Sequence, residues 1–147
     1  MRPKAYLSAV APPIRWKQRF DNFQRTLRVL EKLADASIAE LSEVERIGYV
    51  KLFELTFELA WRTLKNYLEY AGVDQQLLGS RNTIRTAFRS GLLAAGEPWI
   101  AMIRLRNDLT HRCDQLKATD LLHELKASIL PLFLALETKL LTLDEEE

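Results

Sequence analysis

The chain has 147 residues, a length typical of one domain, and its 48% hydrophobic and 28% charged residues are usual for a globular protein. The single cysteine, Cys113, excludes an internal disulfide framework and a cysteine-based zinc site. No apolar run reaches the ~18 residues of a transmembrane helix, so we expect no membrane partner. The net charge of +1 argues against a uniformly basic nucleic-acid-binding protein.

Residues 1–14 contain three of the five prolines and predict a flexible, extended arm, because proline lacks an N–H donor and restricts its neighbour. The apolar stretch at 5–11 is short and contains Tyr6 and Ser8, which is poor for a signal peptide. We therefore expect a cytoplasmic protein. The expected organisation is an arm over 1–14, a helical bundle over 15–141 and an acidic tail over 142–147.

Apolar residues spaced by three and four positions predict a first helix over 15–39. Its apolar face comprises Phe20, Phe23, Leu27, Leu30 and Ala34. Ser42 followed by Glu45 predicts a capping box that opens a second helix over 43–70, and Gly72 suits its C-terminal cap. The apolar arc of this second helix is wider than one face, so we expect it to be central.

Three more helices follow in the sequence. Ser80 opens a short one that Gly91 ends, and Glu97 with Pro98 opens the fourth. The last begins at Thr119 or Asp120, and Pro131 within it predicts a kink. Since the connections are short, the sequence predicts an all-α, up-and-down antiparallel bundle of about five helices.

The charge is unevenly distributed along the chain. Residues 1–32 hold eight Lys and Arg against two acids, and residues 81–117 hold seven against three. The two other blocks, 33–80 and 118–147, are acidic. Arg81, Arg85 and Arg89 recur every four residues and so share one helical face. This pattern predicts either a solvated polar face or a local phosphate-binding surface that the net charge conceals.

The segment RNDLTH at 106–111 holds the residues best suited to chemistry. His111 can transfer a proton near neutral pH, and Arg106 can stabilise a pentacoordinate phosphate. Five positions on an ideal helix place the two residues about 140° apart, so one helix cannot direct both at one site. The helix must end or bulge at 108–110, or a second copy of the chain must supply part of the site. The other histidine, His123, has no second ligand at metal spacing, so we expect no metal and no cofactor.

Three blocks in this order resemble a known family: FELTFELAWRTLK at 53–65, IRTAFRSGLL at 84–93 and RNDLTH at 106–111. They are similar to the nucleotidyltransferase substrate-binding proteins of the HEPN superfamily, over residues 16–140. The resemblance implies a homodimeric helical bundle that partners a separately encoded minimal nucleotidyltransferase, often as a toxin–antitoxin pair. It also implies that Arg106 and His111 form a metal-independent RNA-cleaving site at the dimer interface, with Asn107 as a polar helper.

One position departs from the family pattern. Toxin members often carry a tyrosine two residues after the histidine, which the partner enzyme modifies with AMP. Cys113 stands there in this sequence, so tyrosine modification at that site is not available to this chain.

Three functions remain open from the sequence. The first is a toxin-like partner subunit with ribonuclease activity, in which Arg85, Arg89 and Arg104 guide the RNA backbone. The second is a non-catalytic subunit that binds a nucleotide or another substrate. The third is a purely structural helical dimer.

Overall fold

The computed structural model describes the backbone of residues 4–73, 79–111 and 115–146, and the side chains of 15–73, 79–109 and 120–146. Its helices are α1 (Lys4–Ala34), α2 (Glu43–Tyr70), α3 (Gly79–Arg89), α4 (Glu97–His111), α5 (Gln115–Glu124) and α6 (Leu130–Glu145). A π-helical turn, Leu125–Ile129, joins α5 to α6, and a 3-10 turn, Ile38–Glu40, lies between α1 and α2. The described residues contain no strand, and the predicted all-α bundle is confirmed.

The first helix is longer at its N-terminus than predicted. α1 begins at Lys4 and passes through Pro12 and Pro13, so the extended arm expected over 1–14 is wrong for residues 4–14. Proline holds φ near −65°, a helical value, so its ring permits a helical backbone, although inside a helix it also removes an N–H donor and clashes with the carbonyl four residues earlier. The division into arm, bundle and tail at residues 14 and 141 stays a prediction.

Helix α2 is the centre of the bundle, as expected, because it packs against α1, α3, α4 and α5. Its start is set locally. The Ser42 hydroxyl accepts a hydrogen bond from the Glu45 amide, and the Glu45 carboxylate accepts one from the Ser42 amide. Past its C-terminus, Gly72 has a φ of 82°, a left-handed conformation that glycine adopts without strain. Both predicted ends of α2 are confirmed.

The core contains a cluster of aromatic rings contributed by four helices. Phe133 of α6 makes edge contacts with Phe23 of α1 and Trp99 of α4, at centroid distances of 5.9 and 5.7 Å. Phe53 of α2 lies 6.5 Å from the same ring. All four side chains are buried. The mutual packing of these rings fixes how α2 and α4 face each other, and so places the charged residues between them.

The C-terminal helical segment is interrupted close to Pro131, where a kink is predicted. The π-helical turn Leu125–Ile129 ends just before α6, whose first turn contains Pro131. Proline cannot donate to the preceding turn, and a π turn widens the helix at that place. Apolar residues spaced by three and four positions form a seam along this segment, which is largely buried, with Leu132 partly exposed. Its members are Leu122, Leu125, Ile129, Leu132, Leu136 and Leu140.

Candidate functional site

Arg106 is held on the face of α4 that packs against α2. Its Nη1 donates to the Glu58 Oε2 at 3.1 Å, and its Cζ lies 5.3 Å from the centroid of the Phe57 ring. Its Nη2 also lies 3.4 Å from the Oδ1 of Asn107. The side chain remains 24% exposed. The guanidinium is therefore fixed in position and still accessible to a ligand.

Glu58 is the acceptor that organises this region. Its Oε1 accepts a hydrogen bond from the Arg62 Nε at 2.7 Å, and its Oε2 also accepts one from the Trp61 Nε1 at 2.8 Å. Burial raises the pKa of this carboxyl, but the hydrogen bonds from Arg62 and Trp61 and the charges of Arg62 and Arg106 outweigh it and hold the pKa below the ordinary value. Glu58 is therefore an anion at neutral pH that binds two arginines.

Four other arginines line a groove of about 740 Å³ between α3 and α4, which we call the arginine groove. They are Arg81, Arg85, Arg89 and Arg104. Among the described residues, none of the four guanidinium groups has a carboxylate within ion-pair distance. The Phe88 ring lies in the same groove and is 47% exposed. The three residues predicted to guide a substrate, Arg85, Arg89 and Arg104, are thus brought together, and Arg106 is not among the residues that line the groove.

The course of α4 bears on one of the two arrangements that the sequence leaves open. The helix is α-helical through His111, without an end or a bulge at 108–110. The positions of Arg106 and His111 therefore stay about 140° apart around the axis. Arg104 and the position of His111 are seven residues apart, which corresponds to about 20° around the axis and about 10 Å along it. His111 thus shares a helix face with the arginine groove, whereas Arg106 does not.

Several predicted features lie outside the described part of the chain. The side chain of His111 is one, although its backbone ends α4. Arg112 and Cys113 also lie outside it, so the structure does not bear on the departure at Cys113. Among the described residues, no cluster of three or more His, Cys, Asp or Glu side chains could hold a metal ion. The described helices include none with the length and apolar character needed to cross a bilayer.

Sequence reasoning missed three residues of this region: Phe57, Glu58 and Phe88. Phe57 and Glu58 lie within the first resembling block, but their contacts with Arg106 join positions 49 and 48 residues apart and depend on helix packing. Phe88 lies within the second resembling block, but nothing in the sequence marks it as exposed, because an apolar residue close to apolar residues at 84 and 87 would be expected in the core. Its exposure places an aromatic face beside four cations.

Comparison with known proteins identifies the family. Residues 18–142 match the model described as "Nucleotidyltransferase substrate binding protein like". The chain belongs to this family. The match begins within α1 and ends within α6, and the resemblance drawn from the three sequence blocks is confirmed.

A curated relative adds a second similarity. The chain is 30% identical over 74 residues to a protein of Haemophilus influenzae (strain Rd) named "Probable ribonuclease HepT". The alignment covers 48% of this chain and 51% of the relative, so the chain spans about half the length of the curated relative it matches. Together with the family match, this supports a HEPN-type partner protein.

Proposed function

We propose that the protein is a toxin-like, homodimeric HEPN subunit that partners a separately encoded minimal nucleotidyltransferase and cleaves RNA without a metal ion, through Arg106 and His111. The observation that carries this proposal is the position of Arg106. Its guanidinium is fixed by Glu58 and Phe57 while a quarter of the side chain stays exposed. A fixed, accessible guanidinium suits the stabilisation of a phosphorane, because it needs no reorganisation as charge develops.

The site is composite in this proposal. Because α4 remains helical through His111, the two residues of one chain diverge by about 140°. A two-fold dimer can bring the two residue types together, because Arg106 of one protomer can meet His111 of its partner. The two-fold symmetry then repeats the same contact with the protomers exchanged. Each dimer then contains two equivalent sites.

The chemistry follows from the groups that this arrangement supplies. His111 takes the proton of an RNA 2′-hydroxyl, and the 2′ oxygen attacks the adjacent phosphorus. Arg106 stabilises the charge of the phosphorane, with Asn107 beside it. The bond from phosphorus to the 5′ oxygen then breaks, and that oxygen takes up a proton from the imidazolium or the solvent. The products are a 2′,3′-cyclic phosphate and a free 5′-hydroxyl end.

The arginine groove supplies the substrate path. Arg85, Arg89 and Arg104 have no described carboxylate within ion-pair distance, so their charges are available to phosphates. The groove borders the α4 face that His111 shares, about two helical turns away. An RNA strand bound there is directed along α4 toward the position of His111.

Cleavage assays with purified protein and RNA in excess chelator test the activity. We expect cleavage by the wild type and loss of it in Arg106→Ala and His111→Ala. His123→Ala is the matched control, because it removes the other, exposed histidine and should cleave like the wild type. Equal degradation by the wild type and His111→Ala contradicts the ribonuclease proposal.

Mixed dimers test whether the site is composite. Arg106→Ala and His111→Ala chains, inactive alone, are unfolded together and refolded. If the site is shared, each mixed dimer has one intact site out of two. Random pairing makes about half of the dimers mixed, so about a quarter of the wild-type activity returns. A site built from one chain alone lacks a residue in every pairing and shows no recovery. Sedimentation of the refolded mixture establishes that dimers are present.

The second candidate function is a non-catalytic subunit that binds a nucleotide or another substrate for the nucleotidyltransferase. The observation that favours it is the arginine groove, which offers four cations and the exposed Phe88 ring to a phosphate and a base. Equilibrium binding of nucleotides, to the protein alone and with the nucleotidyltransferase encoded beside it, tests this candidate. Absence of binding in both states rejects it, and absence of such a neighbouring gene contradicts the proposed partner.

A further inference from the structure

A second concave site lies between α1 and the C-terminal half of α2, and it shares no lining residue with the arginine groove. It has a volume of about 180 Å³, and every residue that lines it is polar. We call it the α1–α2 pocket. Its lining residues are Arg15, Arg19, Arg62, Lys65, Asn66 and Glu69. The ribonuclease proposal as it stands gives this pocket no role.

The α1–α2 pocket carries an excess of positive charge. Four cations line it together with a single carboxylate, that of Glu69. Three of these cations, Arg15, Arg19 and Lys65, have no carboxylate within ion-pair distance among the described residues. Cations gathered in a concave surface raise the local concentration of anions, so the pocket is suited to a negatively charged ligand.

The pocket is connected to Arg106 through the carboxylate of Glu58. The Glu58 Oε1 accepts a hydrogen bond from the Arg62 Nε at 2.7 Å, and its Oε2 accepts one from the Arg106 Nη1 at 3.1 Å. Arg62, which lines the pocket, is therefore separated from Arg106 by one carboxyl group. Lys65 follows Arg62 by three residues, about 4.5 Å further along α2. Cations thus succeed one another from Arg106 along α2 into the pocket.

Helix α1 supplies the other wall of the pocket. The ring of Trp16, which is fully buried, lies edge-on to the ring of Tyr67 at a centroid distance of 5.1 Å. This contact fixes α1 against the C-terminal half of α2. Arg15 and Arg19 are four residues apart, so they lie on one face of α1, beside the pocket. The backbone that carries the cations is therefore held in place before a ligand binds.

We propose that the α1–α2 pocket binds the backbone of the RNA strand beside the phosphate at Arg106, an inference that rests on the proposed RNA cleavage. Arg19 and Lys65 contact the phosphates of neighbouring nucleotides, because guanidinium and ammonium groups both bind phosphate oxygens. None of the described residues that line the pocket is aromatic, so no base stacks there. Phosphate contacts carry no sequence information, and the pocket accepts any RNA sequence.

The pocket and the arginine groove bind opposite flanks of the strand. His111 shares a helix face with the arginine groove, whereas Arg106 lies on the face of α4 that packs against α2. In the composite site, Arg106 of one protomer meets His111 of its partner. The strand therefore leaves the cleaved phosphate through the α1–α2 pocket of one protomer and through the arginine groove of the other.

RNA binding to the His111→Ala protein tests the pocket while the RNA stays intact. In fluorescence anisotropy at 0.1 M salt with an RNA of about 20 nucleotides, Arg19→Gln with Lys65→Gln should lower the affinity about tenfold. The slope of log affinity against log salt should fall by about 1 to 2. Arg25→Gln with Lys51→Gln removes the same charge from two exposed, already paired side chains and should stay within twofold. Equal losses in the two variants overturn the proposal.

A combination of variants tests whether one strand occupies both sites. The pocket variant and Arg85→Gln with Arg89→Gln should lower the affinity by factors that multiply, to about 100-fold, because they remove separate contacts with one strand. The number of RNA molecules bound per dimer should not change. If the pocket variant instead removes one bound RNA and leaves the affinity of the others unchanged, the proposal is wrong. Oligo(U) and oligo(A) of equal length should lose the same factor in the pocket variant.

The failure of this inference differs from the failure of the ribonuclease proposal. Undiminished affinity in Arg19→Gln with Lys65→Gln, while the wild type cleaves RNA in excess chelator, refutes the pocket alone. RNA binding that depends on Arg19 and Lys65, without cleavage by the wild type, supports the pocket and refutes the ribonuclease. A wild type that binds no RNA refutes both. The substituted side chains are at least partly exposed, so the variants should fold, which circular dichroism checks.

Discussion

The arginine groove and the Glu58 region both concentrate arginines, but they differ in what neutralises the charge. At Glu58, two arginines and an indole donate to one carboxylate, and Arg106 also lies over an aromatic ring. In the arginine groove, four arginines have no described carboxylate within ion-pair distance and stand beside apolar residues. The first arrangement fixes a guanidinium in one place, and the second leaves several free to follow a ligand. A guanidinium that stabilises a transition state must be held in one position, whereas cations that bind a nucleic-acid strand can move with it.

Removing the carboxylate at Glu58 should produce the largest effect. In Glu58→Gln, Arg106 loses its charged anchor, and we expect kcat for RNA cleavage to fall by about 10- to 100-fold because the guanidinium is no longer held. Glu97→Gln, which removes the single carboxylate that lines the arginine groove, is the control and should keep kcat within twofold. An unchanged kcat in Glu58→Gln means that Arg106 does not depend on this anchor.

Neutralising the arginine groove should weaken binding and its dependence on salt. For Arg85→Gln with Arg89→Gln, we expect RNA affinity at 0.1 M salt to fall about tenfold and the slope of log affinity against log salt to drop by about 2. The assay is fluorescence anisotropy in the His111→Ala background, so that the RNA stays intact. Arg25→Gln is the control, because Arg25 is already paired with Asp21 at 2.9 Å, and it should leave the slope unchanged.

The stability of the Glu58 region should depend on pH. The pKa of Glu58 is lowered in the folded protein from the ordinary value of 4.5. The ionised side chain therefore contributes its full share to the free energy of unfolding above pH 4.5, and this share is lost as the pH falls below that value. The side chain is 34% exposed, so after solvent screening we expect Glu58→Gln to cost about 1 kcal/mol at pH 7. Urea unfolding at pH 7 and pH 3 should show this difference shrinking toward zero. A difference independent of pH is the contrary result.

A substitution at Gly96, in the wall of the arginine groove, should have the smallest effect. A Cβ at Gly96 would lie 3.3 Å from the Cγ of Phe88, so Gly96→Ala requires only a slight shift of a half-exposed ring. We expect the free energy of unfolding to change by less than about 0.5 kcal/mol and RNA affinity to stay within twofold. A larger loss of affinity shows that the groove depends on the position of Phe88, as the Glu58 region depends on its fixed contacts.

The parts of the structure that were predictable depend on neighbours in sequence. Ser42 and Glu45 are three residues apart, and their capping box is decided by the first turn of α2. The common face of Arg85 and Arg89 likewise follows from helical spacing. The prolines near the start of α1 led to the wrong prediction of an extended arm. Proline disfavours a helix interior but has a φ that fits a helix, and the sequence pattern does not decide which effect prevails.

The contacts that make the candidate site depend instead on how the helices pack. Glu58 meets Arg106 because the aromatic core brings α2 against α4, and Arg104 joins the arginine groove because α4 lies beside α3. No local pattern specifies either contact. The sequence could therefore identify Arg106 and His111 as chemically suitable, but it could not identify Glu58 as the anchor or decide whether one chain holds the whole site.

The carboxylate of Glu58 has a different arginine on each of its oxygens. Its Oε1 accepts the hydrogen bond from the Arg62 Nε within α2, and its Oε2 accepts the one from the Arg106 Nη1 of α4. The two guanidinium groups therefore do not compete for one acceptor atom. A substitution at Arg62 removes the bond within α2 and leaves in place the Oε2 contact that joins α2 to α4.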